Sequence, residues 1–207
     1  GHHPYAYTER GPFPEETELD RYRHALHEGD RALGELLAGL RARGLDRSTV
    51  VIVIGDHAEA FGQHPGNFGH TLAIWEENVR VPLVISVPGA PAGVRVREVA
   101  SLIDVPPTLL DLLGIARPPS FQGASLLDPR KRVALFYTDY SLGLLGLRDG
   151  CMKYIHELES GRPRLFDLCA DPAEQVDLAT QHPDRVLVYR GRVRGWSSAQ
   201  VAMSRDA

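Results

Sequence analysis

The chain has 207 residues, of which 43% are hydrophobic and 24% are charged, a composition typical of a globular protein. Its 23 Lys and Arg against 27 Asp and Glu give a net charge of -4, which offers no basis for a nucleic-acid or anionic-membrane partner. No apolar run approaches the ~20 residues of a membrane helix, so we expect no membrane segment in this chain.

The start of the chain indicates that a longer protein is its source. It begins Gly-His-His-Pro, and its two methionines are Met152 and Met203, so no initiator methionine is present. We therefore expect a processed chain or a C-terminal piece. The richness in Arg, Ala, Gly and Leu favours a bacterial source.

The first predicted element is an amphipathic helix that ends near Gly44. Apolar side chains recur there at helical spacing, namely Leu19, Tyr22, Leu26, Leu33, Leu36, Leu37 and Leu40. We expect His24, His27, Glu28 and Arg31 to lie on the solvated face of this helix.

Two strands are predicted next, in the segments VVIVI and RVPLVISVPG. Both are continuous rather than alternating apolar runs, as expected of strands buried on both faces between helical layers. The order of helix, buried strand, loop and buried strand predicts a doubly covered α/β sheet.

The remaining predicted elements change in type after residue 128, from a helix to short strands. In ASLIDVPPTLLDLLGI we expect Asp104 to cap a helix that Gly114 ends, a structural role. The segments VALFYTDY, KYIHEL and RLFDL then predict short strands of a small antiparallel subdomain. Asp171, Pro172 and Glu174 predict a helix start, and the polar tail past Trp196 is expected to fray.

The two cysteines, Cys151 and Cys169, flank a predicted hairpin that turns at Ser160 and Gly161. A hairpin there would bring the cysteines to facing positions, so a disulfide is one interpretation. We favour the other, two separate buried thiols.

Candidate chemistry lies in GDHAEAFGQHPGNFGH, directly after the first predicted strand. Ligands of open α/β sheets gather beyond the carboxyl ends of strands, where the side chains of Asp56 and His57 can turn toward one cation. Imidazole with carboxylate suits zinc or manganese, and further carboxylates would suit calcium. The alternative is that Asp56 caps a turn and His57 bonds locally. His64 and His70 follow in a glycine-rich loop and strengthen the prediction of a site.

The segment GDHAEAFGQHPGNFGHTLAIWEENVRVPLVISVPG resembles the sulfatase family of the alkaline phosphatase superfamily. Members carry Ser/Gly-Asp-His/Asn-Gly-Glu, a loop with a basic residue, and then Glu-Glu-x-x-Arg-Val-Pro before a strand. Three further segments are similar to family motifs in the same order, namely SLIDVPPTLLDLLGI, FQGASLL and RLFDLCADPAEQVDLA. The resemblance covers nearly the whole chain.

The resemblance implies an α/β fold, the C-terminal part of an alkaline-phosphatase-like α/β/α sandwich with a small antiparallel subdomain. Residues 1–128 would carry the metal-binding and anion-binding groups, and residues 129–207 would form the small α+β subdomain. One divalent metal ion, calcium, manganese or zinc, is the implied cofactor.

The resemblance also implies roles for individual residues. Asp56 and His57 would be metal ligands. His70 and, in HHPY, His2 would be catalytic residues that contact the oxygens of the transferred group. His64 joins them as a substrate-binding candidate without a settled role, and Arg80 would hold the loop and the strand together.

The sequence departs from the family pattern in three ways. Ala58 stands where glycine is usual, and Asp177 replaces an asparagine. The family's N-terminal aspartate pair and its Cys/Ser-x-Pro-x-Arg or threonine nucleophile are absent. Two protein ligands also fall short of the ~4 that zinc prefers. We therefore expect this chain to be the C-terminal part of a larger hydrolase whose N-terminal half is its partner.

The function expected from this resemblance is metal-dependent hydrolysis of small sulfuric esters. A second expectation is phosphoryl chemistry in the same superfamily, by a phosphoglycerol or phosphoethanolamine transferase or a phosphoesterase. A third, of another class, is a non-catalytic anion-binding or structural fragment. Because relatives commonly work outside the cytoplasm, we expect an extracytoplasmic location.

Overall fold

The computed structural model describes residues 3–205, which divide into two compact units. The first unit runs to Gly55 and includes Pro82–Val94. The second comprises Asp56–Val81 and the chain from Arg95 onward. The predicted division of the chain after residue 128 stays a prediction.

Helix α1, Glu18–Ala42, is the main element of the first unit and confirms the predicted amphipathic helix. It begins with a capping box, in which the Thr17 side chain accepts from the Asp20 backbone and the Asp20 carboxylate accepts from the Thr17 backbone. It ends where Gly44, at φ 67°, adopts the left-handed conformation that glycine tolerates. A 3₁₀ helix, Leu45–Arg47, follows.

The prediction that His24 lies on the solvated face of α1 is wrong. Its side chain is buried, because residues 11–14 fold back over it. The Gly11 N–H donates to Nδ1 at 2.9 Å, and Nε2 donates to the Pro14 carbonyl at 3.0 Å. These two bonds satisfy the neutral imidazole completely.

Strand β1, Val51–Ile54, pairs with a strand that the chain reaches later, Leu83–Ser86. The pairing is antiparallel, with Val51 opposite Ser86 and Ile54 opposite Leu83. The expectation that both strands are buried on both faces is wrong for residues 3–205, since Val84 is 59% exposed. Within that range the sheet has two strands, and Ile54 of β1 is also exposed, at 37%.

The second unit opens with a small ribbon and a short helix. Strand β2, Ala60–Phe61, pairs antiparallel with β3, Phe68–Gly69. Helix α2, Glu76–Val79, follows, and the chain then enters the Leu83–Ser86 strand of the first unit, which is β4.

Asp104 has the structural role expected of it, but in a different turn. It closes a 3₁₀ helix, Leu102–Asp104, that leads into helix α3, Val105–Leu112. Its carboxylate accepts from the backbone N–H groups of Ser101 at 3.0 Å and Ala124 at 2.9 Å. The side chain therefore joins this turn to the segment around Gly123, where a Cβ would lie 1.8 Å from the Ile103 carbonyl oxygen.

A four-stranded antiparallel sheet follows residue 128, as predicted. Its strands are β5, Val133–Thr138, β6, Leu144–Asp149, β7, Met152–Glu157, and β8, Pro163–Asp167, in that order. Sequence reasoning anticipated β5, β7 and β8 but not β6.

Helix α4, Pro183–Arg205, covers one face of this sheet. Its buried side chains, Val186, Tyr189 and Val193, join a core with residues of β6, β7 and β8. The prediction that the chain frays past Trp196 is wrong, because the helix continues to Arg205. Within residues 3–205 no helix is both long and apolar enough to span a bilayer.

The opposite face of the sheet receives α2. Ile74 is buried there with residues of β6, β7 and β8, and Trp75 and Val79 pack beside it. Lys153 of β7, which is 0% exposed, places Nζ 3.1 Å from Glu76 Oε1 and 2.8 Å from Glu174 Oε1. Arg148 adds a bond of 3.0 Å to the other Glu76 oxygen. Two cations and two carboxylates thus share one site.

The prediction that Glu174 belongs to a helix start is wrong. The segment forms a turn in which Glu174 has a φ of 55° and a buried side chain. Its Oε2 accepts from the Glu76 N–H at 2.7 Å. Burial raises the pKa of the Glu174 carboxyl, and Lys153 and the Glu76 N–H offset part of that rise.

The preference for two separate thiols is also wrong, because Cys151 and Cys169 form a disulfide. The strand register explains it. Met152 lies opposite Asp167, so Cys151, just before β7, comes close to Cys169, two residues past the end of β8, and their Cα atoms are 5.3 Å apart.

We expect replacement of both cysteines by serine to lower the free energy of unfolding by about 3 kcal/mol, because the cross-link restricts the unfolded chain. Urea denaturation of the two purified proteins measures the difference. As a control, thiol alkylation of the denatured wild type should succeed only after reduction. Labelling without reductant would contradict the disulfide.

We expect Lys153→Met to lower the free energy of unfolding by about 3–5 kcal/mol, because it leaves two carboxylates buried without their cation. The chain offers a matched control in its other lysine, Lys131, which is exposed. Lys131→Met should change the same quantity by less than about 0.5 kcal/mol. Equal effects of the two substitutions in urea denaturation would refute a special role for Lys153.

Candidate functional site

The ribbon of β2 and β3 brings together residues that are distant in the chain. Ala60 pairs with Gly69, so Glu59 and His70, the next residues outward, become neighbours. His70 Nδ1 lies 3.3 Å from Glu59 Oε2, and the Glu59 side chain is only 5% exposed. The carboxylate thereby fixes the orientation of the imidazole.

His57 stacks on His70, with ring centroids 4.1 Å apart and planes inclined by 24°. His57 Nδ1 lies 3.0 Å from the Ala58 carbonyl oxygen, which only accepts, so this nitrogen carries the proton. The lone pair of His57 is therefore on Nε2, which lies 3.9 Å from Asp56 Oδ1. A ring held through Nδ1 with its lone pair on Nε2 is the usual arrangement of a metal-binding histidine.

Asp56 is suited to bind a cation because its carboxylate is exposed and ionised. Its side chain is 91% exposed. Hydrogen bonds from its own N–H and from that of His57 lower the pKa of the Asp56 carboxyl, and the nearby imidazoles of His57 and His70 add to the effect.

The donor set fits a divalent metal ion. His57, Glu59 and His70 each offer a ligand atom, and these atoms lie within 4.8 Å of one another. Together with Asp56 they provide the mixture of imidazole and carboxylate that zinc or manganese takes. Glu59 was not singled out in the sequence, although it holds the acidic position of the family's Asp-His-Gly-Glu pattern.

Alanine fits position 58, where the family pattern usually has glycine. The non-glycine residues that have positive φ within the described chain are Tyr5 and Glu174, so the turn after His57 does not demand glycine. The Ala58 N–H donates to the Asn78 carbonyl at 3.0 Å. Alanine therefore keeps the turn in place.

His64 falls in a different cluster from His57 and His70. Its Nδ1 donates to Glu77 Oε1 at 2.7 Å, its ring stacks on Trp75 at 4.1 Å, and its side chain is 12% exposed. Burial raises the pKa of the Glu77 carboxyl, but hydrogen bonds from Asn67 and His64 outweigh it, so the pKa lies below its ordinary value.

The remaining candidates receive less support. His2 lies outside the described residues, so its contact with the transferred group stays a prediction. Arg80 is exposed, and no contact of its side chain within residues 3–205 supports a role in holding the loop and the strand together.

Comparison with known proteins agrees with the motif analysis. The family model for sulfatases matches residues 1–115, and the model for the C-terminal part of N-sulphoglucosamine sulphohydrolase matches residues 66–189. Arylsulfatase K from Mus musculus is 34% identical over 176 residues, which cover 76% of this chain and 32% of that protein. The Homo sapiens protein is 31% identical with the same coverage. The chain thus spans about a third of the length of these relatives. Because they are vertebrate proteins, the expectation of a bacterial source is not supported.

Solved structures show the fold. BT4656, solved with its substrate D-glucosamine-2-N,6-O-disulfate, has a TM-score of 0.74 and 23% identity over 91% of this chain and 41% of its own. The phosphonate monoester hydrolase from Silicibacter pomeroyi has a TM-score of 0.67 and 24% identity over 88% and 44%. These structures confirm the expected alkaline-phosphatase-like α/β fold class. With two family models each covering more than half of its residues, the chain belongs to the sulfatase family.

Proposed function

We propose that the protein is a metal-dependent sulfuric-ester hydrolase to which this chain contributes metal ligands and an anion contact. The observation that carries the proposal is the stacked pair of His57 and His70 with Asp56 and Glu59 beside it, in a chain of the sulfatase family.

In this function Asp56 and His57 hold the metal ion. Asp56 supplies an ionised oxygen, and His57 supplies Nε2 because its other nitrogen is committed to the Ala58 carbonyl. When bound, the cation stabilises the negative charge that develops on the ester oxygens and activates a nucleophile. The nucleophile and further ligands come from the part of the protein outside this chain.

His70 holds and orients the group that is transferred. Its Nδ1 donates to Glu59, and in the imidazolium form Nε2 would donate to an oxygen of the sulfuryl group. The buried Glu59 carboxylate keeps the ring from rotating. His2 is proposed as a second contact, and His64 is left as a substrate-binding candidate.

The second candidate function is hydrolysis or transfer of a phosphoryl group. The likeness to a phosphonate monoester hydrolase is the observation in its favour. Sulfate and phosphate monoesters share tetrahedral geometry and oxygen ligands, so the residues above would serve either. Rates on an aryl sulfate and on the matching aryl phosphate, measured with the full-length protein, separate the two. Failure on both esters would favour the non-catalytic alternative.

We further propose that the protein works in an oxidising, extracytoplasmic compartment. The disulfide between Cys151 and Cys169 supports this location, because such bonds persist outside the reducing cytosol.

We expect Asp56→Ala and His57→Ala, each made in the full-length protein, to release the metal ion and abolish ester hydrolysis. Elemental analysis gives the metal content, and a chromogenic aryl sulfate gives the rate. Asp30→Ala and His182→Ala, at exposed positions elsewhere, are the matched controls and should change neither quantity. Metal retained by the Asp56 and His57 variants would remove these residues from the ligand set.

We expect His70→Ala to lower the turnover number about 10²- to 10³-fold while the metal stays bound, because one preorganised donor to the transferred group is lost. Stopped assays at saturating ester measure it, beside elemental analysis of the same sample. Loss of metal would instead make His70 a ligand, and an unchanged rate would exclude it from the site.

A further inference from the structure

The loop that carries His70 is held from within by a buried amide. This loop, residues 62–70, begins directly after β2, includes the two residues of β3 and ends at His70. Asn67 lies inside it and is buried. Its carbonyl accepts from the Gly62 N–H at 2.8 Å, and its own N–H donates to the His64 carbonyl at 3.0 Å. The loop thereby closes on itself through the Asn67 backbone.

A second buried amide, Asn78 of α2, meets the first. The chain has two asparagines, and the Asn67 Nδ2 group donates to Asn78 Oδ1 at 2.7 Å. The same Nδ2 group donates to Glu77 Oε1 at 2.9 Å. A buried side-chain amide has no water to replace a lost partner, so these bonds define the position of the loop.

Asn78 also contacts the chain next to both histidines of the site. Its Nδ2 group donates to the carbonyl of Gly69, the residue before His70, at 3.1 Å. Its backbone carbonyl accepts from the N–H of Ala58, the residue after His57, at 3.0 Å. One residue therefore sets the separation of the two segments whose imidazoles stack at 4.1 Å.

The helix that carries Asn78 is itself fixed to the C-terminal sheet. The Glu76 N–H donates to Glu174, and the Glu76 carboxylate bonds Lys153 and Arg148. Trp75 and Val79 pack into the apolar core on the same side. A side chain on such a support can impose its geometry on a glycine-rich loop.

We propose that Asn78 is a positioning residue for the reaction: through Gly69 and Ala58 it holds His70 and His57 at their working separation. Its buried side chain bonds Asn67 and the Gly69 carbonyl, and it is not one of the proposed metal ligands. The kinetic part of this inference rests on the proposed sulfatase function, whereas the structural part stands without it.

The test replaces Asn78 by aspartate in the full-length protein. Asn78→Asp keeps the shape and the oxygen facing Asn67 but turns the donor to the Gly69 carbonyl into an acceptor. Gln63→Glu, an exposed amide-to-acid change in the same loop, controls for the added charge. Asn78→Ser serves as a second variant without a charge, should the aspartate impair folding.

We expect Asn78→Asp to lower the turnover number on an aryl sulfate at least 10-fold with KM changed less than 3-fold and with metal retained. Gln63→Glu should change neither. The double variant with His70→Ala should be no slower than His70→Ala alone, because positioning matters only while His70 is present. Additive losses in the double variant would overturn the proposal.

Hydrogen exchange tests the positioning role of Asn78 without an activity assay. The amides of Gly69, His70 and Thr71 should exchange at least 10-fold faster in Asn78→Asp, with those of β6 and β7 unchanged. Unchanged exchange at Gly69 and His70 would overturn the proposal. A wild type that hydrolyses no ester would refute the proposed function instead, and this exchange measurement would still judge Asn78.

Discussion

The buried ion pairs of Lys153 are the interaction on which the second unit depends. One lysine Nζ faces two carboxylates, and Arg148 restores the balance to two cations and two anions. Such a cluster is stable only when complete, because each lone charge would be costly away from water. The left-handed backbone of Glu174, which costs of order 1 kcal/mol in a non-glycine residue, is tolerated because it delivers the carboxylate to this cluster.

Two consecutive glutamates connect this ion-pair cluster to the candidate site. Glu76 faces the C-terminal sheet, and Glu77 faces the loop that carries His70. A helix of four residues has no stability of its own in water, so α2 exists because both of its sides are occupied. The sheet, the short helix and the histidine loop therefore form one connected support for His57 and His70.

The sequence pattern was sufficient to predict those elements whose contacts are made between residues close together in the chain. Leucine spacing predicted α1, the Ser160-Gly161 turn predicted the hairpin of β7 and β8, and the Asp-His motif pointed to the candidate site. It was insufficient where distant partners decide the outcome. Glu174 matches a helix-start pattern, yet it turns toward Lys153. His24 lies under a segment that folds back over α1, and Asn78 is defined by partners in a loop that no periodicity describes.

The burial of Lys153 also makes the chain unusual toward amine-reactive reagents. Of its two lysines, Lys131 is exposed and Lys153 is 0% exposed. In the folded protein an acylating dye therefore meets one accessible lysine side chain in this chain. Lys131 becomes the one lysine attachment point for a fluorophore, and a label on Lys153 marks molecules in which the sheet has opened.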